Sequence, residues 1–286
     1  MHPRTELQFL DIGNIHVMRS SLESLLSLLH ASPRTDDNLG QPSREMYFGR
    51  AMEDTGWTMH GRMVMAGAWR VAHALHVQKR PVSVNCSDSW DRSSQIVALA
   101  ELLLDPHYRT LKGFCQLIIK EWLSFGHQFH KRCAHGHTAT QDYSPVFLQF
   151  IECVWNLLQQ HPAAFEFNEH LLHFLAMHLH ACRFGTFLCD NERQRDALQL
   201  SRRTDSAWAF VLHPHRRALF TNPLYAPPRK GTAGIVSSLL GSCAAATLRP
   251  VRPWLEYWSK FAPIPSVPPR SHAFGPLLLP RSRVAV

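Results

Sequence analysis

A run of eight residues, from Cys86 to Ser93, has the composition of a loop that attacks phosphate esters. It reads Cys-Ser-Asp-Ser-Trp-Asp-Arg-Ser, so a thiol stands six positions before an arginine. A cysteine thiolate is a strong nucleophile, and the planar guanidinium of Arg92 can hold two phosphate oxygens at once. The spacing therefore favours attack of Cys86 on phosphorus while Arg92 stabilises the charged oxygens.

The residues on either side of this run predict a strand, a loop and a helix. The apolar stretch before it predicts a strand over 81–85, and the periodic stretch after it predicts a helix over 93–104. Loop N–H groups and the positive end of the helix dipole would then surround the sulfur and lower its pKa from about 8.5. In the alternative interpretation, Cys86 is a buried structural thiol.

The remaining pattern is mainly helical. Alternation of apolar residues predicts a strand over 7–12, and residues 31–45 have the composition of a loop. Helical periodicity is found over 17–29, 63–77, 110–123, 146–160, 163–181 and 203–211. The expected fold class is a helix-rich α/β domain.

Composition limits the class of protein and its partners. A chain of 286 residues that is 45% hydrophobic can bury a core as one domain. A formal net charge of +8 favours anionic partners, and the sequence lacks the motifs of nucleic-acid binding, so we expect no nucleic acid. Seven unevenly spaced cysteines indicate reduced thiols, and we expect no signal peptide and no membrane span.

The full loop string resembles that of the myotubularin family, lipid phosphatases with a protein-tyrosine-phosphatase fold that act on 3-phosphoinositides. The string Asn-Ile-His-Val-Met-Arg at 14–19 is also similar to the family. Further similar segments lie at 104–110, 120–127, 144–150, 165–169 and 183–188. Because the resemblance extends from about residue 5 to about residue 225, the chain is identified as a member of this family.

The resemblance implies a role for each residue of the loop. Cys86 would be the nucleophile, Arg92 the phosphate ligand, Asp91 the general acid, and the Ser93 hydroxyl a hydrogen-bond donor to the thiolate. Contacts with the substrate are implied for Asn14, Ile15, Ser87, Asp88, Ser89, Trp90, Asp91, Arg92 and Arg132.

Each assignment beyond Cys86 and Arg92 also has a structural alternative. Asp88 and Asp91 could cap the following helix, as Asn14 could cap its own. Trp90 could be a packing residue, and Arg132 could be an exposed helix charge.

Three positions depart from the family pattern and weaken the site. Asn85 stands where active relatives have histidine, which removes a positive charge beside the thiol. Ser89 replaces a glycine, which predicts backbone strain of about 1–3 kcal/mol. Gln128 replaces a common basic residue.

The domain boundaries follow from composition and resemblance. Residues 1–260 are expected to form a partial tyrosine-phosphatase-like domain, with much of the upstream central sheet and the family's lipid-binding domain absent. A low-complexity insert is expected at about 226–249 and a disordered proline-rich tail at 261–286. A Cys/His cluster (His127, His130, Cys133, His135 and His137) lacks the ligand spacing of a zinc site, so no metal is predicted.

The leading functional prediction is a phosphatidylinositol-3-phosphate 3-phosphatase, which would also take the 3,5-bisphosphate, working through a cysteinyl phosphate without metal or cofactor. The alternative is a pseudophosphatase that binds an active myotubularin relative, and a phosphoprotein phosphatase is a weaker third interpretation. The expected partners are a phosphoinositide head group, a peripheral membrane surface and another myotubularin subunit. The resemblance implies a cytoplasmic protein at endosomal-type membranes.

Overall fold

Helices make up most of the structure. The computed structural model describes residues 5–30, 44–136, 141–227 and 251–261. The α-helices are α1 (Ile15–His30), α2 (Arg44–Asp54), α3 (Trp57–His76), α4 (Arg92–Leu104), α5 (Leu111–Ile118), α6 (Phe129–Arg132), α7 (Val146–Gln160), α8 (Glu169–Ala181), α9 (Glu192–Ala197), α10 (Leu200–Arg203), α11 (Ala207–Leu212), α12 (Pro214–Phe220) and α13 (Leu255–Trp258). Short 3₁₀ turns occupy Pro106–Arg109, Gly185–Phe187 and Ser259–Phe261.

Helix α4 lies at the centre of the core, directly behind the loop that begins at Cys86. Its sequence is apolar on nearly every face, which is typical of a helix surrounded by protein. Even the polar side chain of Gln95 is buried, and its amide donates to the Val146 carbonyl and to Gln149. Because α3 and α7 pack on α4, the first turn of α4 is held rigidly beside the loop.

A π-helical turn, Ile119–Ser124, follows α5 and ends near the loop. The wider turn is closed by the His127 amide, which donates to the Trp122 carbonyl at 2.9 Å. Gly126 has φ +82°, a left-handed conformation that glycine adopts without steric cost. This turn directs His127 into the core, and π-helical turns often occur at functional sites.

The two predicted strands are not formed. Neither 7–12 nor 81–85 takes part in a backbone ladder within the described parts of the chain, and Asp11 has φ +51°, outside the extended region. An extended segment becomes a strand only when a neighbour pairs with it. The segments are instead tied by side chains, because Arg80 pairs with Glu6 at 2.8 Å and Arg92 donates to the Ile12 carbonyl.

The helix-rich part of the predicted fold class is therefore confirmed, whereas no sheet is found in the described residues. An isolated bridge between Phe167 and Thr221 is the β-pairing recorded there.

Local capping explains where the helices differ from the predicted ranges. The helix predicted over 163–181 begins only at Glu169, because the Asn168 side chain accepts from the Leu171 amide and caps it. The helix predicted over 203–211 is divided into α10 and α11, with Ser206 capping α11. Residues 44–45, predicted as loop, belong to α2.

Parts of the predicted loop, insert and tail, residues 31–43, 228–250 and 262–286, lie outside the described residues. In the part that is described, none of the helices combines the length and apolar character needed to cross a bilayer.

Candidate active site

The sulfur of Cys86 lies inside a curled loop and accepts hydrogen bonds from it. Cys86 is half-buried, and the Ser89 amide donates to its Sγ at 3.1 Å. Burial raises the pKa of the thiol, but the polar groups that face it, the Ser93 hydroxyl and the amides of Ser93, Ser89 and Asp88, outweigh this effect, so the pKa lies below its usual value. The loop therefore presents inward donors around a nucleophilic sulfur, the arrangement that an oxyanion requires.

Arg92, the first residue of α4, lies beside this loop. Its guanidinium donates to the Ile12 carbonyl at 3.2 Å and to the Ser87 hydroxyl at 3.1 Å. Both partners are neutral oxygens, and Ser87 is exposed. Neither of these two partners is a carboxylate, so neither neutralises the positive charge that Arg92 brings to the loop.

Asp91 is buried, and the side chains of Arg132 and His127 face it. Its carboxylate accepts from Arg132 Nε at 3.1 Å and Nη2 at 2.8 Å, and lies 3.0 Å from His127 Nδ1. Burial raises the pKa of Asp91, but hydrogen bonds from His127 and Arg132 and electrostatic attraction to them outweigh it and lower the pKa to about 2. The carboxylate is therefore ionised at neutral pH, and it makes no side-chain cap on α4.

His127 is the site residue that sequence reasoning missed, because the sequence shows it only as one member of a Cys/His cluster. Its ring is fully buried, and Nδ1 lies 3.0 Å from the Trp90 carbonyl as well as from Asp91. Because both neighbours are acceptors, Nδ1 carries the proton. No spacing rule would have found this contact, because His127 follows Trp90 by 37 positions.

The predicted contacts outside the loop are occupied by other partners. Asn14 caps α1, with its Oδ1 accepting from the amides of His16 and Val17 at 3.0 and 3.1 Å. Ile15 begins α1, and its carbonyl accepts from the Ser144 hydroxyl. Arg132 is buried between Asp91 and the carbonyl of Asp142, so it is not an exposed helix charge. Their roles in substrate binding stay predictions.

The three departures from the family pattern have visible consequences. Ser89 has φ +69°, the left-handed conformation that the replaced glycine would adopt freely, yet its amide still points at the sulfur. Asn85 is exposed, and its amide donates to the Ser83 hydroxyl at 3.0 Å. Gln128 precedes α6 and is half-buried.

The two remaining loop residues differ in exposure. Asp88 is exposed at the loop surface, whereas Trp90 is half-buried and contributes its carbonyl to His127.

Groups that could hold a cation lie elsewhere. Among the described residues, Glu169, His173 and Glu256 bring their ligand atoms within 4.8 Å of one another. Lys260 Nζ lies 3.1 Å from His173 Nδ1, and the Trp254 indole donates to Glu169 at 2.6 Å. These contacts join the segment that contains Trp254 and Lys260 to α8, and they place an ammonium group beside His173. We therefore assign no metal there.

Comparison with known proteins identifies the family of the chain. Residues 1–196 match the family described as the Myotubularin-like phosphatase domain. The chain is 40% identical over 264 residues to myotubularin of Xenopus tropicalis, covering 92% of this chain and 40% of that protein. It is 46% identical over 218 residues to the phosphatidylinositol-3,5-bisphosphate 3-phosphatase MTMR6 of Mus musculus, covering 76% of this chain and 34% of that protein.

A third relative is the phosphatidylinositol-3-phosphate phosphatase MTMR7 of Pongo abelii, 42% identical over 230 residues, or 80% of this chain and 33% of that protein. The chain thus spans roughly a third to two fifths of the length of these relatives. Since the family match covers well over half of the chain, this protein belongs to the myotubularin-like phosphatase family.

Proposed function

We propose that this chain is a phosphatidylinositol-3-phosphate 3-phosphatase that also accepts the 3,5-bisphosphate. The observation that carries the proposal is the Ser89 amide, which donates to the Cys86 sulfur at 3.1 Å beside the available charge of Arg92. The names of two relatives, a phosphatidylinositol-3,5-bisphosphate 3-phosphatase and a phosphatidylinositol-3-phosphate phosphatase, support the substrate class.

The proposed reaction has two displacements at phosphorus. The Cys86 thiolate forms a bond to phosphorus as the bond to the inositol oxygen breaks, and that oxygen takes up a proton. Arg92 and the loop amides hold the three equatorial oxygens as charge spreads over them. Water then attacks the cysteinyl phosphate, the S–P bond breaks, and inorganic phosphate and the thiolate are released.

Asp91 is poorly suited to be the proton donor, because its carboxylate is ionised and paired. To act as the predicted general acid, Asp91 would have to take up a proton against a pKa of about 2 and leave Arg132. Protonation of the leaving oxygen is thus a separate question from nucleophilic attack by Cys86.

The rest of the proposal comes from resemblance. A tyrosine-phosphatase-type fold, a cytoplasmic location at endosomal-type membranes and a second myotubularin subunit as partner are all proposals for this chain. A net charge of +8 supports contact with an anionic membrane surface.

The test is phosphate release by the purified chain from short-chain phosphatidylinositol 3-phosphate. We expect release that is abolished by Cys86→Ser and absent with phosphatidylinositol 4-phosphate. Equal release by the Cys86→Ser variant would refute the proposal, because the sulfur would then take no part.

A pseudophosphatase is the second candidate, favoured by the strained Ser89 and by Asn85, whose amide is bonded to Ser83. We expect the double variant Asn85→His, Ser89→Gly to release phosphate faster than the natural chain. If the double variant were as inactive as Cys86→Ser, the pseudophosphatase would be the better supported function. Binding to an active myotubularin would then be the next measurement.

A further inference from the structure

One buried carboxylate of the loop is paired more strongly than its predicted role requires. Asp91 is only 5% exposed, and both of its oxygens face cationic or ring N–H donors, from Arg132 on α6 and from His127. A two-point contact between guanidinium and carboxylate is among the strongest hydrogen-bonded pairs in proteins. A group that gives its proton to a leaving oxygen needs a weaker and more exposed setting.

The same ring nitrogen of His127 also holds the loop backbone. Nδ1 lies 3.0 Å from the Trp90 carbonyl, so one N–H contacts the main chain at one residue and the side chain of the next. These residues end the loop whose amides surround the Cys86 sulfur. A displacement of Trp90 or Asp91 would therefore move the amides of the loop.

The position of His127 is itself set by the core. Its ring meets Trp122 edge to face with centroids 4.8 Å apart, and Phe129 at 4.7 Å. Its amide closes the π-helical turn on the Trp122 carbonyl at 2.9 Å. A chain of rigid contacts thus connects the aromatic core with the loop.

We propose that His127 is a positioning residue of the loop: it holds Trp90 through the carbonyl and, together with Arg132, holds Asp91 as an anchoring anion. The inference rests on the proposed phosphatase function, and it deepens that function by giving Asp91 a role in shaping the oxyanion site. With Asp91 as an anchor, the leaving oxygen takes its proton from water.

Two substitutions separate the hydrogen bond of His127 from its packing. His127→Phe keeps an aromatic ring among Trp122 and Phe129 but has no N–H, whereas His127→Asn loses the ring but places an amide N–H near the position of Nδ1. A positioning role predicts that His127→Asn resembles the natural protein more closely than His127→Phe does, both in Cys86 alkylation and in phosphate affinity. A role in packing alone predicts the reverse order.

The readouts are independent of turnover. They are the pH dependence of Cys86 alkylation by iodoacetamide, followed on the peptide that contains it, and the affinity for inorganic phosphate. We expect His127→Phe to raise the pH of half-maximal alkylation and to weaken phosphate binding about tenfold, the scale of one lost charge-assisted hydrogen bond. We expect His127→Asn to stay within about threefold of the natural protein in phosphate affinity.

The proposal is overturned if His127→Phe matches the natural protein in both readouts, or if it stays closer than His127→Asn. A lack of phosphate release by the natural chain would refute the proposed function, but it would leave the alkylation and phosphate-binding results valid. The two failures are therefore distinguishable.

Asp91→Asn provides a second test that does not need the His127 variants to fold. An anchor predicts an equal fractional loss of turnover on short-chain phosphatidylinositol 3-phosphate and on an aryl phosphate with an acidic phenol leaving group. A proton donor predicts a much smaller loss on the aryl phosphate, since that leaving group needs no proton. A loss on the lipid more than about tenfold larger than on the aryl phosphate would overturn the proposal.

Discussion

Replacing Ser89 by glycine should relieve strain at the centre of the loop. Ser89 has φ +69°, and a left-handed conformation costs a residue with a side chain about 1–2 kcal/mol. Glycine avoids that cost but loses about 0.5–1 kcal/mol through its greater freedom in the unfolded chain. The expected net gain in the free energy of unfolding is about 0.5–1 kcal/mol.

For a chain of this size, that gain corresponds to a rise of roughly 1–2 °C in the midpoint of thermal unfolding. Phosphate release should also increase several-fold, because the loop could then adjust around the phosphate without strain. Thermal unfolding followed by circular dichroism, together with release from short-chain phosphatidylinositol 3-phosphate, measures both effects.

Gln199→Gly is the matched control for this substitution. Gln199 has φ +51° at the start of α10, so glycine there should raise the unfolding midpoint similarly without affecting release. A Ser89→Gly variant that unfolds at a lower temperature than the natural protein would refute the strain argument. Equal gains in release for both variants would show that the effect is not specific to the loop.

Three further predictions concern titration. Burial raises the pKa of Glu152 to about 7, despite N–H donors from three tryptophans, so the folded state keeps a proton that the unfolded state releases. The free energy of unfolding should therefore fall by about 3 kcal/mol as pH rises from 4.5 to 7. In urea titrations, Glu152→Gln should abolish this dependence. Asp91, with its pKa lowered to about 2, should contribute about 2 kcal/mol to the free energy of unfolding above pH 4, and this contribution should be lost as pH falls toward 2. An Asp91→Asn variant whose stability depends on acid as that of the natural chain does would contradict this. Asn85→His should lower the pH of half-maximal Cys86 alkylation by roughly one unit, and an unchanged midpoint would exclude an effect of the added imidazolium.

The local geometry of the loop was predictable from neighbouring residues. The features that predicted it lie within a short stretch of chain. They are the spacing of Cys86 and Arg92, the apolar helix after them, and Ser89 at a position where the family has glycine. The structure agrees, because loop amides face the sulfur and Ser89 adopts the left-handed conformation expected of that glycine. Local geometry follows from local sequence where a turn and a helix start are involved.

The strands were not predictable in the same way. The alternating pattern over 7–12 predicted a strand, but it could not say whether a neighbouring segment pairs with it. Within the described residues no ladder joins the two segments, and an ion pair between Glu6 and Arg80, which directly precede them, connects this part of the chain. Pairing depends on contacts distant in sequence, which periodicity does not encode.

The sequence alone therefore predicted a nucleophile and a phosphate ligand and determined the helical character of the protein, because these depend on residues a few positions apart. Only the tertiary structure decided what surrounds Asp91. Arg132 and His127 reach it from α6 and from the end of a π-helical turn, so its ionisation and its anchoring contacts depend on packing between segments about 40 residues apart.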